Sequence, residues 1–330
     1  MNSVVTDPLK RPAKTGGKKG KVTQLLEYAG VSLLLLFSQA IPLTIIRMVS
    51  SFLGKLFFLL VAKRRIIAME NLRNAFATEK GEKELRVIAQ KSFTSFFLTF
   101  LEMAKFRHLF SGDHVFANMK KLSSQDLEQL FQKAKRLHDE SKGCIFVTPH
   151  IGNWELLPQV SAVVGIPLVV VVRPLDNFYL EQLIYKNRSD SGQIIIPKKN
   201  ALFALQKTLQ QGRSIGMLPD QATMHGISVD FFGHKATTTP VPAMLSIMYR
   251  RPIVVVACCR KSSTYRFEGI VSEPIYPVGE YTSEKEEIFR LTGEMNKRME
   301  AVIRSYPDQY LWMHNRWKTY KNKTKKGMLA

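Results

Sequence analysis

The sequence predicts an α/β fold, in which a mixed and largely parallel sheet is flanked by helices. From residue 143 onward, short continuous apolar runs alternate with segments of helical periodicity. Continuous apolar strands separated by helices are typical of a parallel sheet that is covered on both faces. Residues 265–275 instead alternate between polar and apolar, which predicts an antiparallel edge strand. Five runs have the length and composition of buried strands: residues 144–147, 167–172, 194–196, 215–218 and 253–257.

The segments between these strands predict helices in a regular order. Before the first strand, apolar positions recur at helical spacing and include many aromatic residues. We therefore expect one folded domain over residues 66–318, in which residues 66–112 form a helical cover on the sheet. The other helices are expected in four places: from about Asn153, over Asn177–Asp190, over Ala201–Gln211 and over Glu284–Ser305.

Two apolar runs precede this domain. Residues 28–46 carry no formal charge, and their length is close to the ~20 residues that span a bilayer. Residues 52–62 carry only Lys55. Basic residues flank the runs on both sides, which conflicts with the positive-inside rule for a single span, and we find no small-residue cleavage site of a signal peptide. We expect residues 22–65 to form membrane-anchoring helices, either as one span or, preferably, as an in-plane anchor.

The net charge of +21 indicates a polyanionic partner. Basic residues concentrate in residues 1–21 and near residues 319–330, which lack apolar periodicity and are predicted to be disordered tails. Polybasic tails beside apolar helices favour an anionic membrane surface. The motifs that would favour nucleic acid are not found in the sequence. The three cysteines all lie in apolar runs, which indicates reduced core thiols and a cytoplasm-facing compartment.

A histidine and a carboxylate follow the first predicted strand. His150 and Glu155 are separated by four residues, and Gly152 between them would let the backbone approach a substrate. In a parallel sheet, the carboxyl ends of the strands are where catalytic groups gather. A histidine with one nitrogen bonded to a carboxylate can accept a proton at the other, so Glu155 is expected to orient His150 as a general base. Arg173 and Asp220 follow other predicted strands and are expected nearby.

One motif is rejected on its context. Residues 212–216 fit the G-x-S-x-G pattern of a serine nucleophile. That motif requires a strand before the serine and a helix after it, whereas here a helix precedes and a strand follows. We interpret Ser214 as part of a helix-to-strand turn, which argues against a lipid hydrolase.

The run from Thr148 to Glu155 resembles the HxxxxE signature of the lipid A biosynthesis acyltransferases, the late lauroyl and myristoyl transferases. Further blocks resemble the same family in order and spacing over about residues 25–318. They are Glu70–Phe76, Val172–Asn177, Met217–Gln221, Phe232–Thr237 and Trp312–Trp317. A single HxxxxE would be weak evidence, whereas six blocks in order are strong.

This resemblance implies a fold similar to that of glycerol-3-phosphate acyltransferase and a catalytic pair, His150 and Glu155. It also implies functional roles for Arg188 and Asp220; Arg173 and Gln221 are expected to support substrate binding. The implied reaction moves an acyl chain from acyl carrier protein, or from acyl-CoA, to a hydroxyl of a lipid A precursor. It implies no cofactor and no metal. The implied location is the cytoplasmic face of a bacterial inner membrane.

The sequence leaves three matters open. Four methionines are candidates to line an apolar tunnel for the acyl chain, although core packing is their ordinary role: Met217, Met224, Met244 and Met248. The acceptor could be another glycolipid, such as a phosphatidylinositol mannoside. A non-catalytic module that binds membrane and an acidic partner is the alternative from another class.

Overall fold

The computed structural model describes residues 20–106, 115–172, 175–190, 194–197, 201–261 and 266–318. The predicted tails therefore lie outside the described residues, apart from Gly20 and Lys21. The helices are α1 (Lys21–Ala40), α2 (Leu43–Leu60), α3 (Ala62–Phe76), α4 (Glu82–Phe106), α5 (Val115–Leu122), α6 (Leu127–Glu140), α7 (Leu157–Val163), α8 (Phe178–Asp190), α9 (Ala201–Gln210), α10 (Val241–Tyr249) and α11 (Glu284–Ser305). A short 3₁₀ helix, Pro307–Gln309, follows α11.

The central sheet has six strands, and the sequence-based prediction of an α/β fold is confirmed. They are β1 (Ile145–Val147), β2 (Val169–Val172), β3 (Ile194–Pro197), β4 (Ile215–Met217), β7 (Ile253–Arg260) and β8 (Phe267–Val271). Their order is β3-β2-β4-β1-β7-β8. All neighbours are parallel except β7 and β8, which pair antiparallel at the predicted edge.

The sheet is covered on both faces, as its continuous apolar strands require. Ile145, Val147 and Val255 belong to one buried core cluster together with apolar residues of α9, α10 and α11. Phe146 and Val256 alternate with them and form a second cluster, against which α6 and α7 pack. The carboxyl ends of β1 and β4 lie side by side, because Val147 is paired with Met217.

Two features of the folded domain differ from the prediction. A two-stranded hairpin, β5 (Ile227–Phe231) and β6 (His234–Thr238), follows the exit of β4 and was not predicted. The helix expected from about Asn153 begins only at Leu157. Residues 151 and 152 instead form single bridges to Tyr310 and Cys258, so this backbone is used in extended pairing.

The N-terminal apolar run is divided between two helices. Pro42 has no N–H to continue α1 and forces Ile41 into an extended conformation, so the uncharged residues 28–46 do not form one spanning helix. Within the described residues, only α2 is long and apolar enough to cross a bilayer, which is weak evidence by itself. Its Gly54 packs so closely on α4 that an added Cβ would lie 2.6 Å from the backbone N of Thr94.

Candidate active site

His150 lies at the carboxyl end of β1, at the start of a turn that we call the catalytic turn (residues 150–156). Gly152 in this turn has a φ of +60°, and a Cβ there would lie 2.1 Å from the carbonyl oxygen of Cys258. The position therefore admits glycine alone, because both the dihedral and the space exclude a side chain. This packing fixes the turn against the continuation of β7.

Side chains of α4 hold the catalytic turn from behind. Thr99 Oγ1 donates to the Gly152 carbonyl at 2.7 Å, and Asn153 Nδ2 donates to Glu102 Oε2 at 2.9 Å. The Asn153 backbone N–H donates to the Cys258 carbonyl at 2.7 Å. Thr99, Glu102 and Asn153 are all buried, so water does not compete for the hydrogen bonds that they make.

Glu102 is buried, and a carboxylate in such a place needs a compensating partner. Arg260, at the end of β7, supplies it through Nε and Nη2, which lie 2.6–3.0 Å from the Glu102 oxygens. The same guanidinium donates to Ser95 Oγ and Thr99 Oγ1, both at 3.1 Å. These hydrogen bonds therefore link α4, the end of β7 and the catalytic turn to one another.

The carboxylate that contacts the His150 ring is Asp220. His150 Nδ1 lies 2.7 Å from Asp220 Oδ1, and the His150 backbone N–H donates to Asp220 Oδ2 at 2.8 Å. An ionised carboxylate can only accept, so the proton of the neutral ring is on Nδ1 and the lone pair is on Nε2. Gln221 Nε2 lies 3.3 Å from that Nε2, where its amide can donate. His150 Nε2 is therefore an acceptor on the side of the ring away from Asp220, and 18% of the side chain is exposed.

Asp220 is held in its ionised form. Burial alone would raise the pKa of this carboxyl, but the charge and hydrogen bonds of His150, and then Arg316, hold its pKa below the usual value. Tyr310 faces the same carboxylate; burial and then the Asp220 charge raise the pKa of its hydroxyl. Arg316 is buried, donates to Thr237 O at 2.8 Å and lies 4.6 Å from the Phe231 ring. The charge of Asp220 is thus available to stabilise a protonated His150.

A second histidine, His314, lies beside this pair. Its Nε2 accepts a hydrogen bond from the Ala222 backbone N–H at 3.3 Å, so its neutral ring carries the proton on Nδ1. Burial lowers the pKa of His314, and the neighbouring His150 and Arg316 lower it further against the opposing effect of Asp220. His314 is therefore a neutral ring that anchors the loop following Asp220.

The structure explains two sequence blocks whose roles the sequence did not indicate. Asn71, in the first block, donates to the carbonyl oxygens of Trp312 and His314 in the last, at 2.7 and 2.5 Å. The Leu311 N–H donates to the His150 carbonyl at 2.9 Å. Sequence reasoning missed Tyr310, whose only signal was its place next to the last block. The segment 310–317 closes around the His150–Asp220 pair because α3 holds it there.

An apolar cavity of about 120 Å³ opens beyond the catalytic turn. It lies between the sheet and helices α5, α6 and α7, and Leu156 and Leu157 of the chain just after the turn line it. The predicted tunnel methionines do not line it: Met224 and Met248 are 69% and 56% exposed, Met244 is also exposed, and Met217 packs against the main core. Met217 therefore has the core-packing role that was the alternative, and α10 places Met244 and Met248 at the surface.

The predicted site residues have different outcomes. His150, Asp220 and Gln221 are brought together, and Asp220 occupies the place at the imidazole that was predicted for Glu155. Glu155 is buried in the same turn, and its catalytic role stays a prediction. Arg173 lies outside the described residues. Arg188 lies in α8, but its side chain is outside the description. Within the described part of the chain, no group of three or more His, Cys, Asp or Glu side chains could hold a metal ion.

Comparison with known proteins identifies the family of the chain. Residues 18–319 match the family described as "Bacterial lipid A biosynthesis acyltransferase". The chain is 26% identical to the lipid A biosynthesis palmitoleoyltransferase of Escherichia coli (strain K12), over 89% of this chain and 91% of that protein. It is also 26% identical to the lauroyltransferase of the same organism, over 89% and 92%. A phosphatidylinositol mannoside acyltransferase of Mycolicibacterium smegmatis is 22% identical over 54% of this chain and 58% of that protein. The predicted family and enzyme class are thus confirmed, and the chain belongs to the bacterial lipid A biosynthesis acyltransferases.

Proposed function

We propose that this protein transfers a fatty acyl chain from acyl carrier protein to a hydroxyl of a lipid A precursor at a membrane surface. The observation that carries the mechanism is the His150–Asp220 pair, whose outward Nε2 is a hydrogen-bond acceptor. The similar proteins of E. coli, named for lipid A biosynthesis, support the acceptor. The net charge of +21 suits an acidic carrier protein and a phosphorylated lipid.

The chemistry we propose is direct acyl transfer. His150 Nε2 takes the proton of the acceptor hydroxyl while the oxygen attacks the thioester carbonyl. Asp220 stabilises the imidazolium that results. The tetrahedral intermediate collapses, the new ester remains on the acceptor, and the thiolate of the carrier leaves with the proton from His150. The amide of Gln221 occupies the place of the acceptor hydroxyl at Nε2 and must move aside.

Glu155 keeps a role in this proposal. Four residues separate it from His150, a spacing that resembles the HxxxxE signature of the family, and Glu155 is buried next to the cavity-lining residue Leu156. The cavity accepts an apolar chain because most of its wall is aliphatic or aromatic. We propose it as the site of the donor acyl chain, which enters past the catalytic turn. Arg173 and Arg188 are proposed to bind the acceptor phosphates or sugar.

Exposed apolar side chains of α1 and α2 support the proposed association with a membrane. On α2, Met48, Phe52 and Leu60 are between 65% and 72% exposed, and on α1 Leu33 and Phe37 are at least 63% exposed. Exposed apolar side chains on two successive helices favour contact with lipid over contact with water. The bacterial inner membrane at its cytoplasmic face is the location we propose. Both the in-plane and the spanning arrangement of α2 stay open.

The test is a transfer assay with the full-length protein in detergent micelles. Labelled acyl carrier protein is supplied with a lipid A precursor or with a phosphatidylinositol mannoside, and products are identified by mass. We expect a mass gain of one acyl chain on the lipid A precursor. Transfer only to the mannoside would favour the alternative acceptor, which the similarity to the mycobacterial enzyme supports.

The assignment of the base is tested in the same assay. His150→Ala is expected to lower the transfer rate by about 10²- to 10⁴-fold, because a general base contributes that much. His138→Gln, a histidine remote from the catalytic turn, is the matched control and should transfer normally. If His150→Ala transfers at the wild-type rate, the mechanism is wrong, and a non-catalytic membrane module becomes the better reading.

A further inference from the structure

A continuous row of aromatic side chains leads from α2 to His150. Neighbouring ring centroids in this row are separated by 5.1–6.3 Å. We call the row the aromatic strip; in order from α2 it contains Phe57, Phe97, Phe96, Phe100 and Trp154. The ring of Trp154 then lies 5.4 Å from the ring of His150.

The spacing of three of these residues on α4 creates the strip. Phe96 and Phe100 are four residues apart and Phe97 is three residues before Phe100, so the three rings share one side of the helix. Each is partly exposed, whereas Phe93 on the same helix is fully buried. A phenylalanine that served only the core would be buried like Phe93. Partly exposed rings that contact one another beside His150 form an apolar surface to which a ligand could bind.

The two ends of the strip indicate what that occupant is. At one end, Phe57 lies on α2 between residues that are open to lipid, since Leu56 and Leu60 are 39% and 72% exposed. At the other end, Trp154 meets the ring that carries the proposed base. A molecule that lies along the strip would therefore extend from the proposed membrane-facing surface to the reacting centre.

The strip is separate from the apolar cavity. The cavity is lined by residues of the sheet and of helices α5, α6 and α7, and the strip residues are not among its lining residues. The two surfaces meet only at the catalytic turn, where Trp154 ends the strip and Leu156 lines the cavity. Acyl transfer between two lipid-bearing substrates requires two such surfaces, one for each.

We propose that the aromatic strip binds an acyl chain already present on the acceptor glycolipid. This inference rests on the proposed function and names the second substrate site of that reaction. The acceptor must lift its hydroxyl from the bilayer to His150 Nε2. An acyl chain of the same lipid, other than the chain that carries this hydroxyl, would then be exposed to water unless the strip binds it. The donor chain arrives on a soluble carrier and is sheltered by the cavity. The open strip, which begins at α2, suits the substrate that arrives from the membrane.

The experiment compares two acceptors in steady-state kinetics with the full chain. One acceptor is the fully acylated precursor, and the other is a partially deacylated precursor that keeps the reacting hydroxyacyl chain. Phe100→Ala is expected to raise the KM for the first acceptor about tenfold, which corresponds to one lost aromatic contact. It should change kcat and the KM for the donor less than twofold. The KM for the second acceptor should already be high in the wild type and rise little further.

Control variants separate this role from a role in folding. Phe100→Leu keeps apolar bulk and should recover most of the acceptor affinity, while Phe203→Ala removes a ring that is 71% exposed on α9 and should change nothing. An equal rise of KM for both acceptors would overturn the proposal. So would an unchanged KM together with a loss of self-association in light scattering, which would identify the strip as a contact between two copies of the chain.

A binding measurement keeps the proposal distinct from the proposed function. The His150→Ala protein is titrated with the fully acylated precursor, and Phe100→Ala is added to the same background. Binding that weakens about tenfold with Phe100→Ala and not with Phe203→Ala supports the strip even if no transfer is detected. Binding that is equal in all three proteins would overturn it, whatever the catalytic assay shows.

Discussion

Two histidines lie at opposite ends of the strands of the central sheet, and each has a hydrogen-bonding partner. At the carboxyl ends of the strands, His150 Nδ1 lies 2.7 Å from Asp220 Oδ1. Beyond the amino end of β4, His138 Nδ1 lies 2.8 Å from Ser214 Oγ. By distance alone, the second pair would pass for a serine nucleophile with its base. The two sites nevertheless differ in every property that catalysis requires.

The difference lies in the partners. Ser214 is fully buried, and its Oγ also accepts the backbone N–H of Cys144 at 2.9 Å, so it ties α6 and the start of β1 to the sheet. Asp220 brings a negative charge to His150, and the ring nitrogen on the other side faces Gln221. Ser214 is fully buried and cannot reach a substrate, whereas the His150 side chain is 18% exposed. A catalytic histidine is thus distinguished from a structural one by a carboxylate bonded to one ring nitrogen and by a second ring nitrogen that can accept a proton.

The largest effect is expected at the carboxylate behind His150. Asp220→Asn keeps the size of the side chain but removes the charge that stabilises the imidazolium. It also places an NH2 donor where one of the two oxygens accepted from the His150 backbone or ring. We expect the transfer rate to fall by about 10²- to 10⁴-fold. The measurement is the rate of acyl transfer at saturating acceptor.

Two companion variants make this result informative. Ser214→Ala changes the corresponding partner of the other histidine and should transfer at close to the wild-type rate. Glu155→Gln, measured in parallel, shows whether the carboxylate predicted from the sequence acts separately from the one that contacts the ring. If Asp220→Asn transfers at the wild-type rate, the charge of the partner is not what distinguishes His150 from His138.

The second effect concerns the support of the catalytic turn, which has no counterpart at the other end of the strands. Arg260→Met leaves Glu102 buried without its partner, and such a loss costs about 3–5 kcal/mol of the free energy of unfolding. The measurement is thermal or urea unfolding in detergent.

The double variant Glu102→Leu with Arg260→Met removes both charges and should recover at least half of that loss. The transfer rate of the double variant should stay below that of the wild type, because Asn153 loses its acceptor and the turn loses a restraint. A double variant that is as unstable as Arg260→Met alone would show that the arginine acts through packing rather than through its charge.

The sheet could be predicted because its strands are continuous apolar runs, and each run corresponds to one strand of the parallel part. The hairpin of β5 and β6 could not, because its strands are half exposed and contain Asp230, Lys235 and two threonines. The extended backbone at Ile151 and Gly152 was missed for another reason. Its pairing partners, Cys258 and Tyr310, are more than 100 residues away.

The site was predicted in part for the same reason. His150 and Asp220 follow neighbouring strands, so strand-exit reasoning placed them in one region. The choice of Glu155 as the orienting group followed from its closeness in sequence. The contact of Asp220 with the ring depends on the register of β1 against β4, which the sequence does not state. Glu102 and Arg260 lie 158 residues apart, and neither carried a signal of pairing.

The third effect is a loss of stability without a loss of function. Ser214→Ala leaves the Cys144 N–H and His138 Nδ1 without their partner inside the fold, which costs about 1–3 kcal/mol. The measurement is the unfolding midpoint, set beside the transfer rate of the same preparation. Ser305→Ala, on the exposed end of α11, is the matched control and should keep the wild-type midpoint. A stability loss as small as that of the control would mean that the Ser214 hydroxyl contributes nothing.

The smallest effect is a pH dependence that belongs to the structural histidine. Burial, and then the charge of Lys135, lowers the pKa of His138 below 6.5, while Asp139 opposes this. The unfolded chain therefore binds a proton at higher pH than the fold does, so stability falls as the pH drops below about 6.5. His138→Gln should reduce the fall in unfolding midpoint between about pH 7.5 and pH 5.5. Part of the fall should remain, because the pKa of His314 is lowered in the same direction.

His225→Gln, on an exposed turn, is the control variant and should show the same fall as the wild type. A His138→Gln protein with the same fall as the wild type would show that His138 does not cause this pH dependence.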